Sequence, residues 1–561
     1  MNYLFIRNCV LQSLKTLNLQ KPKNFVVEMT RNLEYGDFAT NVAMILAKPL
    51  KKNPLEIAEK LSMYLAKEYK HFFLKVEAVK PGFINFFINP KIYNKALAPF
   101  LEKNYHAKPL LKSQIKKINM EYVSANPTGA LHLGHVRNAY VGNVLINLLR
   151  AVGHKVTSEY WINDMGTQIA LFEVSVLVRY FELFNKKVEF PKGGYPGEDP
   201  YLVARKMKEK FGDKFLNVKW DENNIIKNKK TERIIWRFCI DTMLNLIREH
   251  LSMIGVEIKT WTSETKVFYS GIIERLMRTG FKNHTYKKDG ALWLKTTDGG
   301  QDDKDRVLVK SDGSRTYFVT DIANQANKKS RGFDLFLHVW GSDHEGHVKR
   351  MKLAMPIIKA KPDQLEVVLI QMVKLEKGGK ELTLSKRAGT ALTIPDLLKF
   401  MSVDTSRWYV LAQSPNTQIV IDVDKATKND NSNPVYYVQY AHARVCQLLK
   451  KAKLPKGFKQ PKEFTKLIHK TERALIDMLF SLDPLLYSVV KSYEPQRVVT
   501  YVHELAKAFH AWYNECRVND LTDLELKGQR ICLAKAARSA IKYCLNLLGI
   551  SAPIKMDHVQ K

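Results

Sequence analysis

The chain has 561 residues, of which 89 are Lys or Arg and 56 are Asp or Glu, so its formal net charge is +33. With 45% hydrophobic and 10% aromatic residues, the composition excludes wholesale disorder, and the length predicts about three or four domains. The positive charge is not gathered into a tail, and it favours a nucleic-acid partner over a membrane surface.

The sequence shows no targeting or membrane segment. No uncharged apolar run reaches the ~18 residues that a spanning helix needs, and Arg7 interrupts the apolar run that starts at Tyr3. We therefore expect a cytoplasmic protein. No C-x-x-C pair occurs, so we expect reduced thiols and neither a disulfide framework nor a structural zinc site from the six cysteines, Cys9, Cys239, Cys446, Cys516, Cys532 and Cys544.

The first part of the chain predicts a small α/β domain. Residues 1–105 open with an amphipathic helical pattern, continue into a helical stretch that ends near Tyr69, and close with an apolar strand, Gly82–Ile88. The polar residues around 103–117 are typical of a linker.

A β–α–β unit follows this linker. Residues 118–123 predict a strand, Asn126–Gly129 a loop, the apolar spacing up to Gly153 a helix, and residues 155–161 a second strand. Because the strands of such a unit are parallel, we expect a ligand site at the carboxyl end of the first strand.

The remaining chain alternates strands and helices and then becomes helical. The patterns predict a turn-rich insertion at Pro191–Pro200, a helix at Glu232–Ile254, a strand-rich region at Ala291–Trp340, a buried parallel strand at Val367–Val373, and helices after Asn433 and Pro434. From residue 440 to the end, 21 Lys or Arg stand against 11 Asp or Glu, which predicts a basic helical surface.

His132-Leu133-Gly134-His135 is the sharpest local motif. Two histidines three residues apart at a helix start lie beside its backbone N–H groups and the positive end of its dipole, which suits a polyphosphate. Gly134 removes a side chain where a nucleotide would approach the backbone. Such histidines can also be mere helix caps.

Three other segments have two interpretations each. Gly341–His347 offers a metal site or, with Asp343 at a strand end, a ribose acceptor, and we favour the nucleotide. Lys386 in the loop Thr383–Thr390 could follow the charge on a leaving pyrophosphate, although this loop alone is more typical of a surface turn. Tyr317 and Asp321, four residues apart, would more often mark a strand-to-helix junction capped by Asp321.

Taken together, these segments resemble one family along its whole length, the bacterial type of arginyl-tRNA synthetase, a class I aminoacyl-tRNA synthetase. The resemblance rests on SANPTGALHLGHVRNAYVGN, WINDMGTQI, YFVTDIA, WGSDHEGH, LTLSKRAGT, PVYYVQYAHARV and LLGISAPIKM. It implies an α/β protein with a Rossmann-like class I catalytic domain at 106–400, which has an insertion at about 170–255. A small α/β N-terminal domain at 1–105 would contact the tRNA elbow, and an all-α domain at 401–561 would bind the anticodon.

The resemblance also implies the reaction. ATP and Mg²⁺ would activate L-arginine as the adenylate, and the 2′-hydroxyl of the terminal adenosine of tRNA(Arg) would take the arginyl group. The implied catalytic residues are His132, His135 and Lys386, and the implied ATP ligands are Gly134, Gly341, Asp343, Ser385 and Lys386. No resident metal ion and a monomeric chain are expected. Thr383 and Arg387 depart from the family's Lys-Met-Ser-Lys-Ser loop, so it is open how pyrophosphate is fully neutralised.

Arginine recognition requires carboxylates, because a planar guanidinium donates in pairs. By the resemblance, the arginine ligands are Asn126, Tyr317 and Asp321, with Glu264 as a further carboxylate. Tyr436, Tyr437 and Trp512 could stack on anticodon bases, or could pack between helices.

Two rival functions stay open at this level. A class I synthetase for another amino acid, such as cysteine or glutamate, is disfavoured by Tyr317 with Asp321 and by the lack of zinc-type cysteines. A catalytically silent tRNA-binding paralogue is favoured only by Thr383.

Overall fold

The computed structural model of the protein describes residues 3–22, 24–30, 33–89, 91–297, 302–382, 392–456 and 459–556. The N-terminal part contains α1 (Tyr3–Thr16), β1 (Val27–Met29), β2 (Phe38–Thr40), α2 (Val42–Leu50), α3 (Pro54–Glu68), β3 (Phe73–Val79), β4 (Phe83–Ile88) and α4 (Lys91–Leu101). Its strands form an antiparallel sheet in the order β1-β2-β4-β3. The strand predicted at Gly82–Ile88 is confirmed as β4.

A five-stranded sheet forms the centre of the molecule, in the order β12-β11-β5-β6-β7. Its strands are β5 (Lys117–Glu121), β6 (Lys155–Ile162), β7 (Thr260–Ser263), β11 (Leu335–Gly341) and β12 (Leu365–Ile370). All neighbouring strands are parallel. Their carboxyl ends therefore meet along one edge, where ligands of open α/β sheets bind.

Helix α5 (Leu133–Ala151) crosses from β5 to β6 and confirms the predicted β–α–β unit. It is nearly all buried, and it packs so closely on the chain after β5 that a Cβ atom on Gly142 would lie 2.3 Å from the Tyr122 ring. The helix ends before Gly153, which has a positive φ of 101°. Close packing thus fixes the start of α5 at the sheet edge.

The insertion between β6 and β7 is a helical subdomain with its own apolar core. It contains α6 (Thr167–Glu182), α7 (Glu198–Phe211) and α8 (Lys229–Met253). The predicted helix at Glu232–Ile254 corresponds to α8, and the predicted turn-rich stretch leads into α7.

Shorter elements connect the sheet to its flanks. They are α9 (Glu264–Phe268), α10 (Ile272–Arg275), β8 (Thr285–Lys288), β9 (Ala291–Leu294), β10 (Arg306–Val309), α11 (Tyr317–Ser330), α12 (Glu345–Ala354), β13 (Val373–Lys377), β14 (Lys380–Glu381), α13 (Ile394–Phe400), α14 (Val403–Leu411), β15 (Ile419–Asp422) and α15 (Val423–Ala426). The region predicted as strand-rich from Ala291 to Trp340 is thus interrupted by α11. The sequence did not indicate this helix as a continuous element.

The C-terminal part is helical, as predicted. Its helices are α16 (Pro434–Lys451), α17 (Lys470–Phe480), α18 (Leu482–Ser492), α19 (Gln496–Glu515) and α20 (Leu524–Leu548). Asn433 precedes α16 without capping it through its side chain, which instead donates to the carbonyls of Ala426 and Lys428. The six cysteines are buried and unpaired. Among the described residues, no helix combines the length and apolar content needed to span a membrane.

Candidate active site

A cleft of about 570 Å³ lies at the carboxyl edge of the central sheet. Its walls come from the ends of β5, β6, β11 and β12 and from the starts of α5 and α12. Predicted site residues that line it are Asn126, His132, Gly134, His135, Asp321, Gly341 and Asp343. The fold therefore brings into one cavity residues that are more than two hundred positions apart in sequence.

The two histidines of the motif hold each other at the start of α5. His132 is the residue before the helix, and its Nδ1 accepts from the Gly134 N–H at 3.2 Å. The His135 Nδ1 accepts from the His132 N–H at 3.2 Å, and the ring centroids are 3.9 Å apart. A Cβ atom on Gly134 would lie 3.0 Å from the His132 ring, so glycine permits this arrangement.

These contacts change how the motif could meet a phosphate. Besides Gly134, the N–H groups of Leu133 and His135 are also engaged, with the carbonyls of Leu392 and His132. The expectation that backbone N–H groups of the helix start receive the phosphate is therefore wrong for these three groups. Because both Nδ1 atoms accept, the proton of each neutral imidazole sits on Nε2, which can donate.

Burial keeps both rings uncharged near neutral pH. It lowers the pKa of His132, and burial together with the neighbouring His132 lowers the pKa of His135 to about 3. The pair thus presents two neutral N–H donors in a partly desolvated site, where a donor to an anion is stronger than in water.

Asp321 lies on α11 inside the cleft, and its Oδ2 is 2.9 Å from the Nε2 of His347. Thr316 precedes the helix, so the interpretation of Asp321 as a helix cap is wrong. Tyr317, one turn earlier, is 69% exposed and does not line the cleft. Its hydroxyl points towards Gly166, in the loop after β6.

Glu264 stands next to Asp321 but outside the lining of the cleft. Its side chain is buried in the first turn of α9. Burial, and then the charges of Asp321 and Asp164, raise its pKa to about 7. Asp164 itself is engaged, because it accepts from the Ser263 hydroxyl and the Thr265 N–H.

Asn126 connects two of the motifs. Its Oδ1 accepts from the Asn163 side chain at 2.8 Å, and its Nδ2 donates to the Gln168 Oε1 at 2.7 Å. The loop after β5 is thereby tied to the loop after β6 and the start of α6.

Asp343 extends from the 3₁₀ turn after β11, with a side chain that is 79% exposed. Ser342 beside it donates to the Gln371 Oε1 at 3.1 Å. Among the described residues, no group of three or more His, Cys, Asp or Glu side chains is arranged to hold a metal ion.

Glu121, at the end of β5, lines the cleft and was missed by the sequence analysis. It forms an ion pair with the fully buried Lys328, accepts from Asn324 at 3.0 Å and lies 3.5 Å from His338. Burial favours its neutral form, but Lys328 and His338 outweigh this and hold the pKa of Glu121 well below its usual range. A Glu at the end of a predicted strand was the available signal.

The loop residues Thr383, Ser385, Lys386 and Arg387 lie outside the described residues. The described residues resume at Leu392, and Thr393 forms an isolated antiparallel β-bridge with His132.

The three aromatic residues expected to contact tRNA differ in exposure. Tyr436 and Tyr437 are half-buried on α16, Tyr436 stacked on Tyr440 and Tyr437 close to His510. Trp512 has no exposed surface and belongs to the core of the helical part. The expectation that Trp512 stacks on an anticodon base is therefore wrong, because its ring is covered by protein.

The parallel sheet and the paired histidines at the start of α5 lie within the residues that match a family model of class I aminoacyl-tRNA synthetases. "Arginyl tRNA synthetase N terminal domain" matches residues 5–88, "tRNA synthetases class I (R), catalytic domain" 100–446, and "DALR anticodon binding domain" 438–556.

Whole-chain similarity identifies the particular family. An arginine–tRNA ligase of Mycoplasmoides gallisepticum is 44% identical over 98% of this chain and 99% of its own length. One of Ureaplasma parvum is 40% identical, over 94% of each chain. The Thermus thermophilus arginyl-tRNA synthetase structure shares the fold, with a TM-score of 0.74 at 19% identity over 99% of this chain and 100% of that one. The chain belongs to the arginyl-tRNA synthetase family.

Proposed function

We propose that the cleft at the carboxyl edge of the sheet is where this chain, an ATP-dependent arginine–tRNA ligase, binds ATP and arginine. The observation that carries this proposal is the shared cavity. The neutral pair His132 and His135 and the carboxylate of Asp321 line it together. Donors to a phosphate and acceptors for a guanidinium thus stand within one nucleotide-sized space.

The histidines would stabilise the triphosphate as the arginine carboxylate attacks the α-phosphorus and pyrophosphate leaves. Each Nε2–H can donate to a phosphate oxygen without a change of protonation, because each Nδ1 is already occupied by a backbone N–H. Preorganised donors of this kind stabilise charge that grows in the transition state. Gly134, Gly341, Asp343 and Ser385 would complete the nucleotide site, and Lys386 would follow the pyrophosphate.

Asp321 would take the arginine guanidinium. Its present partner, His347, is an imidazole that a permanently charged guanidinium can replace. Tyr317 would close the outer end of the site, Asn126 would bind the amino-acid backbone, and Glu264 would add negative charge behind Asp321. An uncharged amino acid would offer the Asp321 carboxylate no charged donor, which disfavours its binding.

Mg²⁺ fits this site as a companion of ATP rather than as a resident ion. Mg²⁺ in such sites is bound by substrate phosphates, waters and one or two carboxylates, and Asp343 offers one exposed carboxylate. The ion would neutralise charge on the phosphates when bound.

The helical part would bind tRNA(Arg) through its basic surface, with Tyr436 and Tyr437 available for stacking on unpaired bases. After adenylate formation, the terminal adenosine would take the arginyl group on its 2′-hydroxyl. A monomeric state, a cytoplasmic location and domain limits at 105 and 400 remain predictions.

Arginine-dependent exchange of pyrophosphate into ATP, with and without tRNA(Arg), tests the proposal. We expect His135→Ala to lower the exchange rate by about 100-fold to 1,000-fold, the usual cost of one preorganised donor. His135→Gln should keep part of that rate, because its amide can donate near the position of Nε2. Lys386→Ala should also slow exchange.

Full activity of His135→Ala would contradict the role of the imidazoles. Exchange stimulated by another amino acid would contradict the arginine site.

A further inference from the structure

Arg137, two residues after His135 on α5, has a guanidinium buried without a countercharge. The residue has no exposed surface. Its Nη1 donates to the carbonyls of Gln371 and Thr417, both at 2.7 Å, and its Nη2 donates to the Ser414 carbonyl at 2.8 Å. Within the described part of the chain, no carboxylate forms an ion pair with it.

Burying a cation that is bonded only to carbonyls costs free energy. An apolar side chain of similar length would fill the same volume without desolvating a charge. The planar guanidinium offers several donors in fixed directions, so it can bind three carbonyls at once, one at Gln371 and two in the turn 414–417. An ammonium cannot do this in the same geometry. The hydrogen bonds of Arg137 therefore fix the positions of the segments that it contacts, beyond filling the space between them.

The segment that Arg137 holds forms a wall of the cleft. Gln371 follows β12 directly, and its own N–H donates to the Pro415 carbonyl at 3.0 Å. Its side chain accepts from Ser342, in the segment that follows β11. Gln371 and Ser342 both line the cleft. Asn138, the next residue of α5, joins the helix to β11 instead, because its side chain donates to the Val339 carbonyl at 2.9 Å.

The same helix carries the phosphate-side residues. His132 and His135 stand at its first turn, and the Leu133 N–H donates to the Leu392 carbonyl at 2.8 Å. A shift of Gln371 relative to α5 would change the distance between the two walls of the cleft. Arg137 is the described side chain that joins them directly.

We propose that Arg137 is a positioning residue for ATP, which fixes the Gln371 wall of the cleft relative to the histidines of α5. It acts through the carbonyls that it binds and touches no substrate. This inference rests on the proposed function of the cleft as the ATP site.

Arg407 provides a matched control. It is equally buried, and its guanidinium also donates to backbone carbonyls, those of Ile254, Gly255 and Leu548. It reaches α5 through Asn143 and the Tyr140 ring, and neither of these residues lines the cleft. Arg137→Lys and Arg407→Lys therefore make similar chemical changes, but only the first removes contacts to a wall of the cleft.

Pyrophosphate exchange and thermal unfolding separate the two outcomes. We expect Arg137→Lys to raise the KM for ATP about tenfold and to lower kcat, with the KM for arginine changed less than about twofold. Both variants should lower the melting temperature by similar amounts. Arg407→Lys should leave both KM values within about twofold of wild type.

An unchanged KM for ATP in Arg137→Lys would overturn the inference, since a purely structural role predicts only a loss of stability. If that variant does not fold, Ser342→Ala decides, because it removes the side-chain anchor of Gln371, the residue whose backbone carbonyl Arg137 holds. A KM for ATP within about twofold of wild type would then overturn the inference. Failure of the proposed function is a different result: the wild-type chain itself would show no arginine-dependent exchange.

Discussion

The Asp321 carboxylate pairs with the His347 imidazole, which an arginine guanidinium can replace. Loss of this carboxylate should therefore weaken arginine binding more selectively than loss of any other side chain. Asp321→Asn keeps the size and removes the charge. Loss of a charged hydrogen bond of about 1.5–3 kcal/mol should raise the KM for arginine by about 10-fold to 100-fold. The KM for ATP should change less than about threefold, and pyrophosphate exchange at varied concentrations of each substrate measures both values.

Asp343→Asn is the matched control for this substitution. Both are aspartates of the same cleft, but Asp343 follows β11 on the side assigned to the nucleotide. We expect this variant to raise the KM for ATP and to spare that for arginine. Equal effects of either variant on both substrates would contradict the assignment.

Glu264 should make the stability of the empty protein depend on pH. Its pKa rises from 4.5 to about 7 on folding, so the folded state binds more protons than the unfolded state between these values. The free energy of unfolding should therefore fall as pH rises from about 4.5 to about 7, by at most about 3 kcal/mol. Glu264→Gln should remove this fall, so the variant should gain stability over wild type at pH 8 and not at pH 4.5.

Urea unfolding at several pH values, with and without arginine, measures this effect. A bound guanidinium favours the charged form of Glu264, so arginine should stabilise wild type more at pH 8 than at pH 6. Glu264→Gln should show no such increase. If the free energies of unfolding of wild type and Glu264→Gln changed with pH in the same way, protonation of Glu264 would not be the cause of the pH dependence.

At the scale of elements, the sequence predicted what local patterns determine. The apolar spacing along α5, the Pro/Gly loop before it and the flanking strands are short-range features, and their bounds agree with the structure within a few residues. Helix α11 was missed as an element because it follows three short strands and carries few apolar residues outside its buried face. The local preference for a helix was too weak in this segment, and packing against the rest of the protein determines its helical structure.

The partners of the site residues could not be predicted from local patterns. Lys328 meets Glu121 across 207 positions, and Arg137 meets Gln371 across 234. Both cations look like ordinary surface charges on a helix until the fold buries them. Trp512 shows the reverse error, because an aromatic residue in the basic C-terminal part suggested a contact surface although its face of α19 points into the core.

Gly142 tests the packing of α5 on the sheet. In an open helix, Gly→Ala gains about 0.5–1 kcal/mol, but a methyl group here would meet the Tyr122 ring at 2.3 Å. We expect Gly142→Ala to lower the free energy of unfolding by about 1–3 kcal/mol, as overpacked cores do. Urea unfolding monitored by circular dichroism measures the change.

Gly346→Ala is the control for this substitution. Gly346 lies in α12, where the nearest atom to an added Cβ is an Arg350 nitrogen at 3.7 Å. This variant should be as stable as wild type or gain about 0.5–1 kcal/mol. A gain in both variants would show that α5 can move away from Tyr122.

At the scale of the molecule, the N-terminal part is fixed on the C-terminal helices. Arg473 on α17 pairs with the buried Asp37 at 2.5 Å, and the Tyr105 hydroxyl donates to Asp483 at 2.7 Å. Apolar packing of α4 on α20 accompanies these polar contacts. The N-terminal part, which the sequence resemblance predicts to contact the tRNA elbow, thus meets the helical C-terminal part directly, so a long polyanion could contact both at once.

The net charge of +33 should make tRNA binding far more salt-sensitive than arginine activation. Each phosphate neutralised by Lys or Arg releases counterions, and a protein with 6–10 such contacts loses about 10³-fold to 10⁵-fold in affinity between 50 and 200 mM salt. We expect a loss of this order for tRNA(Arg) in fluorescence titrations. The KM for arginine should change less than about threefold over the same range, because its partners lie close together in a partly buried cleft that ions screen weakly. Equal salt dependence of the two substrates would mean that the basic surface does not bind the tRNA backbone.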